Sequence, residues 1–129
     1  MSTTRQRRVQ ELLIQEISDI LRREIRDPRV GFVTVTDAEV SPDLRHARVF
    51  YTVLGDDAAR EGTAAALKRA AGFIRSEFAR RAQMRFVPEI RFAFDTAVAR
   101  GARIHELLEE TKRDELEPAA ESDPGSGGD

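Results

Sequence analysis

The chain contains no cysteine. That absence excludes disulfide frameworks, thiolate zinc sites and thiol nucleophiles together, and it suits a reducing cytoplasm. No stretch approaches eighteen uninterrupted apolar residues, so no transmembrane helix is expected. The start, Met1-Ser2-Thr3-Thr4-Arg5, lacks the apolar run of a secretory signal, and no export is expected. There is no Gly-x-x-x-x-Gly-Lys phosphate loop, and the glycines of Gly125–Gly128 lie in a polar terminus rather than between a strand and a helix. Only two histidines occur, His46 and His105, on different expected elements. His105 and Glu109 have i, i+4 spacing, but two ligands do not make a metal site. Ser41 and Ser76 have no general base beside them in the pattern. With these groups missing, neither an active site nor a metal, cofactor or small-molecule site is expected, and the chain does not read as an enzyme.

What is present is charge, unevenly placed. The 129 residues carry a formal net charge of −2, with charged residues at 34% and hydrophobic ones at 40%. From residue 112 onward two cations (Lys112, Arg113) stand against six acids (Asp114, Glu115, Glu117, Glu121, Asp123, Asp129), a net −4 that leaves residues 1–111 at +2. Within residues 68–91 seven cations (Lys68, Arg69, Arg75, Arg80, Arg81, Arg85, Arg91) face two acids (Glu77, Glu89), a net +5. Screening limits the reach of the acidic terminus to roughly 8–10 Å at physiological salt, so the local excess is the more informative number. It points to a polyanionic partner.

The hydrophobic pattern divides the chain into elements. Thr3-x-x-Gln6 has capping-box spacing ahead of a helical stripe of Val9, Leu12, Leu13, Ile17, Ile20 and Leu21, which should end near Arg26 because Pro28 disfavours helix at Asp27. A β-branched run, Phe32-Val33-Thr34-Val35-Thr36, shifts its inward parity before Ala38 and Val40, the mark of a bulge. Ser41-Pro42-Asp43 is turn chemistry, and Ala47, Val49, Tyr51 and Val53 then alternate with polar or aromatic neighbours, which predicts an antiparallel hairpin. Gly55-Asp56-Asp57 stops that strand and caps a helix carrying Leu67, Ile74 and Phe78 through to about Ala82. Gly72 lies inside this helix, as a kink between two helices or as a tolerated defect costing ~1 kcal/mol relative to Ala. Pro88 begins a third strand with Ile90, Phe92 and Phe94, and Asp95-Thr96 caps a last helical piece with Ile104, Leu107 and Leu108. The pattern predicts an α+β layer of helices on one face of a small three-stranded sheet for residues 1–111, followed by a disordered acidic Gly/Ser-containing tail, 112–129.

Four ordered segments then resemble the ribosome-binding factor A family: Arg22-Arg23-Glu24-Ile25-Arg26-Asp27-Pro28-Arg29-Val30; Val40-Ser41-Pro42-Asp43-Leu44 leading to Ala47-Arg48-Val49-Phe50; Ala70-Ala71-Gly72-Phe73-Ile74-Arg75; and Val87-Pro88-Glu89-Ile90-Arg91-Phe92 with Asp95. They span roughly residues 5–110. The resemblance implies a type II KH-like fold with an interrupted helix pair. An Ala-x-Gly kink, Ala70 and Gly72, stands in place of the Gly-x-x-Gly loop with which ordinary KH domains clamp a nucleic-acid backbone. It also implies a monomeric cytoplasmic ribosome biogenesis factor. Such a factor binds the free 30S subunit and 16S rRNA, and assists late 30S maturation and processing of precursor 16S rRNA.

The residues that would carry RNA binding are the basic ones. On an ideal helix Lys68 and Arg75 lie about 20° apart, as do Arg69 and Arg80, and both pairs avoid the Leu67–Ile74–Phe78 stripe. Arg81 and Arg85 continue the cluster, and Arg5, Arg7 and Arg8 form a second one where cations oppose the helix dipole. Phosphate contacts of this kind supply affinity with little sequence preference. The bland alternative for each is a solvated cationic face. Phe73 reads as core tucked under the kink, the commoner role, or as a stacking aromatic. Arg103, on the last helical piece, lies outside these clusters, and Arg103→Glu is expected to bind normally. Two other functions suit the same residues: a general single-stranded RNA-binding module, and a protein-interaction adaptor whose basic face is incidental.

Overall fold

The computed structural model describes residues 3–103. In chain order it comprises helix α1 (Thr4–Arg23), a 3-10 turn (Pro28–Phe32), strands β1 (Val33–Val40) and β2 (His46–Val53), helix α2 (Asp57–Ala82) and strand β3 (Glu89–Phe94). Residues 97–103 are again helical. The expected 112–129 tail, and Ile104, Leu107, Leu108 and the His105/Glu109 pair, lie outside the described residues.

The start of α1 is the reciprocal cap its spacing predicts. The Thr3 hydroxyl accepts from the Gln6 N–H at 3.1 Å, and the Gln6 side-chain oxygen accepts from the Thr3 N–H at 2.8 Å. The Gln6 amide nitrogen also donates to the Val40 carbonyl at 2.7 Å, which fastens this helix end to the end of β1. Helix α1 ends before the expected boundary near Arg26. The helix stops at Arg23, and Asp27 caps the 3-10 turn by accepting from the Arg29 N–H at 3.1 Å.

The sheet has the order β1-β2-β3, with β1 antiparallel and β3 parallel to the central β2. The parity shift is a bulge at Thr36: Val35 faces Tyr51, whereas Asp37 faces Phe50. The shift lets Val33 and Val35 before it, and Ala38 and Val40 after it, share the core face. Leu13, Ile17 and Ile20 of α1, Leu67, Ile74 and Phe78 of α2 and Val49 of β2 are almost completely buried there. Each such side chain contributes about 1.5–3 kcal/mol through removal from water.

Two expectations need correction. Helix α2 is one unbroken helix of 26 residues, so the interruption expected at Ala70 and Gly72 is absent. Gly72 has no positive φ, and a Cβ built on it meets nothing within 4 Å, so no conformational or steric demand selects glycine there. The helices also do not all share one face. Phe50 has the opposite parity to Ala47, Val49 and Tyr51 on β2, and the Arg103 guanidinium of the 97–103 segment covers its ring at 4.0 Å. On this second face Arg103 meets Asp37 at 2.7 Å and Asp95 at 2.9 Å, and the Thr36 hydroxyl donates to Asp95 at 2.6 Å. Burial opposes ionisation of Asp95, but Thr36 and Arg103 outweigh it and hold the carboxyl below its usual range. Arg103 therefore ties the 97–103 segment to the sheet.

Candidate nucleic-acid interface

The basic residues of the sequence have three different fates. The first is neutralisation inside the fold. Arg81 meets Asp19 at 2.7 Å, Glu16 at 3.1 Å, Glu77 at 3.2 Å and Glu24 at 3.4 Å, and its side chain is only 16% exposed. It joins α2 to α1, with its charge met there by four carboxylates. Arg80 is exposed but paired with Glu77 one turn earlier, and Arg69 pairs with Asp27 at 3.4 Å. The hydrogen bonds of Arg29 to Asp27, with Arg69 adding to them, hold the Asp27 carboxyl far below the usual carboxylate range.

A second group stays exposed and isolated. Lys68 lies on the outer side of α2, and Arg7 and Arg8 on α1, with no carboxylate partner among the described residues. Phe73 is 48% exposed, so it is not the core residue that its commoner role would make it.

The third group converges. At one end of the domain Arg5, Arg45, Arg75 and Arg85 line a single groove of about 810 Å³, with Pro42, Leu44, Met84, Phe86 and Val87 as its apolar walls and Asp43 and Glu89 as its acids. None of these four arginines pairs with a carboxylate among the described residues. Asp43 is already occupied: it accepts from the Ser41 hydroxyl at 2.6 Å and from the Arg45 N–H at 3.0 Å, and these bonds hold its carboxyl below the usual range. Glu89 sits 3.4 Å from His46 and 3.6 Å from Arg91.

Each wall is held by a bond from elsewhere in the chain. Arg5 precedes Gln6, whose amide ties α1 to Val40. Arg45 leaves a turn in which the Leu44 N–H donates to the Ser41 carbonyl at 2.9 Å, and its own carbonyl accepts from the Glu89 N–H at 2.8 Å. Leu44 sits at φ +62°, a left-handed conformation that costs a branched residue of order 1–2 kcal/mol and that this turn imposes. Helix α2 ends at Gln83, also left-handed at φ +53°, which redirects the chain into the Met84–Val87 loop. Arg75 closes that loop by donating to the Val87 and Pro88 carbonyls at 2.8 and 3.1 Å. It keeps its charge at the groove while two of its nitrogens brace the wall.

Of the sequence candidates, then, the fold unites Arg5, Arg75 and Arg85. It adds two residues that periodicity did not suggest: Arg45, just past the Ser41-Pro42-Asp43 turn, and Phe86, 78% exposed with the Arg85 guanidinium 5.5 Å from its ring centre. The available signal was the Arg85-Phe86 pair itself, a large aromatic that belongs to neither the helical stripe before it nor the strand alternation after it.

Comparisons with known proteins agree on one family. The family described as ribosome-binding factor A matches residues 5–108. The ribosome-binding factor A of Halothermothrix orenii is 50% identical over 115 residues, covering 89% of this chain and 94% of that protein. The crystal structure of ribosome-binding factor A from Thermus thermophilus superposes with a TM-score of 0.62 at 25% identity, covering 69% of this chain and 93% of that one. Coordinates of the Thermus thermophilus factor fitted into a cryo-EM map of its 30S complex match with a TM-score of 0.56 at 26% identity, covering 64% of this chain and 87% of that one. The chain belongs to the ribosome-binding factor A family.

Proposed function

We propose that this protein is a non-catalytic assembly factor that binds the free 30S subunit in the cytoplasm through 16S rRNA. The body formed by residues 1–111 would be the binding domain, acting as a monomer in late 30S maturation and in processing of precursor 16S rRNA. The observation that carries the reading is the groove. Four arginines, from α1, the β1–β2 turn, α2 and the loop after it, converge there without carboxylate partners among the described residues, although many other arginines in this protein are paired. Cations held together in this way are suited to phosphate, whose binding releases counterions. The Thermus thermophilus relative seen in a 30S complex supports the same partner. Its mechanism is differential binding: the factor stabilises the rRNA conformation whose surface it fits, and leaves when maturation removes that surface.

Co-sedimentation with purified 30S, 50S and 70S particles tests the reading. The wild-type protein is expected to pellet with 30S alone. Arg45→Glu combined with Arg85→Glu alters two exposed loop residues and should fold normally, yet lose 30S binding at physiological salt. A folded double variant that binds like wild type would remove the groove from the reading.

A further inference from the structure

Phe86 is an anomaly that phosphate binding alone does not explain. Its ring is 78% exposed on a loop fixed at both ends, by the left-handed Gln83 and by the two hydrogen bonds from Arg75. Pro42, Leu44, Met84 and Val87 continue the apolar surface beside it, and the four arginines share the same groove. A duplex presents phosphates and the edges of its bases, while the base faces stay stacked inside, so an apolar wall gains nothing from it. An apolar protein side chain would suit the wall, but it would leave four arginines without an anion. An unpaired nucleotide satisfies both, because it has a π-face for Phe86 and a phosphate for the arginines. The groove volume, about 810 Å³, lies within the roughly 300–1,000 Å³ of ligand-sized clefts.

We infer that this groove holds an unpaired rRNA nucleotide, its base stacked on Phe86 and its flanking phosphates held by Arg45, Arg85 and Arg5. The inference rests on the ribosomal reading above and narrows it, since the protein then recognises a single-stranded segment of the subunit rather than a helix.

The test uses the full chain and purified 30S subunits. Phe86→Ala and Phe86→Leu should each weaken 30S binding roughly tenfold, while Phe86→Tyr and Phe86→Trp keep it, because stacking needs a ring and not merely an apolar side chain. Neither weakened variant should change the salt dependence, whereas Arg45→Glu should reduce it. Short-wave ultraviolet irradiation of the complex should join the Arg85-Phe86 peptide to an unpaired nucleotide of 16S rRNA. Leucine binding as well as phenylalanine, or a cross-link to a ribosomal protein or to a base-paired nucleotide, would overturn the inference. The two readings fail separately. If Phe86→Ala binds normally while the Arg45/Arg85 double variant does not, stacking is wrong and the RNA groove stands. If both bind normally, the groove itself is wrong.

Discussion

The Arg81 guanidinium meets the Asp19 carboxylate at 2.7 Å, a contact between helices whose residues are 62 positions apart in the chain. Hydrogen bonding to Arg81 is the main reason the Asp19 carboxyl lies below its usual range, and Asp19 in turn pushes the Arg81 guanidinium up. Arg81→Glu places a fifth carboxylate among Glu16, Asp19, Glu24 and Glu77. The melting temperature should fall by several degrees, read by circular dichroism. The fraction that remains folded should bind 30S normally, because Arg81 does not reach the groove. Loss of binding with an unchanged melting temperature would instead return Arg81 to the RNA face.

Gly72 offers the opposite result. Its backbone is helical and the space beyond its Cα is open, so Gly72→Ala should stabilise the protein by about 1 kcal/mol, the propensity difference within a helix. For a domain of this size that raises the melting temperature by a few degrees. Binding to 30S should be unaffected. A destabilised alanine variant would restore a conformational role for the glycine.

Asp95 tests the second face of the sheet. Its side chain is 1% exposed and serves Thr36 and Arg103 together. Asp95→Ala should cost about 3 kcal/mol, the low end for a buried pair that loses one member, because Arg103 retains Asp37. Chemical denaturation would measure it. A loss below 1 kcal/mol would mean that the network adds little to folding.

Stability should decline in acid, and the sign follows from the carboxylates. Asp19, Asp27, Asp43, Glu77 and Asp95 all have folded-state pKa values depressed below the unfolded ones. Their contribution is complete above the unfolded values and is lost as pH falls through the folded ones, because the unfolded chain then binds more protons. Melting temperature against pH should therefore be flat around neutrality and drop below about pH 4. A decline beginning near pH 6 would show that these carboxylates are not its source.

Residues 112–129 carry a net −4 and should compete weakly with rRNA for the groove. Deleting them is expected to leave the melting temperature unchanged and to tighten 30S binding at low salt, with the gain disappearing as salt is raised. A fall of several degrees would show that the segment packs on the body.

Much of the fold was legible because its signals are local. The capping box at Thr3 and Gln6, the stripe from Val9 to Leu21, the bulge parity around Thr36 and the Asp56 cap each depend on residues a few positions apart. The hairpin followed from the Ser41-Pro42-Asp43 turn for the same reason. Gly72 misled, because a glycine inside a helix is equally compatible with a bend and with a plain defect.

The sequence by itself determined the elements, their order, the core stripes and the presence of surplus positive charge between residues 68 and 91. Tertiary structure alone decided which of those charges are available to a partner. Each arginine's partner is set by where the fold brings carboxylates, and these can come from far away: Glu16 and Asp19 for Arg81, Asp27 for Arg69. A helical wheel records the direction in which a side chain leaves its own helix. A long guanidinium side chain, however, bends toward the nearest anion or carbonyl, and that neighbour exists only once α1, α2 and the loops have packed. So Arg81 turned inward, Arg75 braced a loop, and Arg45 and Phe86 came to stand beside Arg5 and Arg85, a grouping that no local pattern encodes.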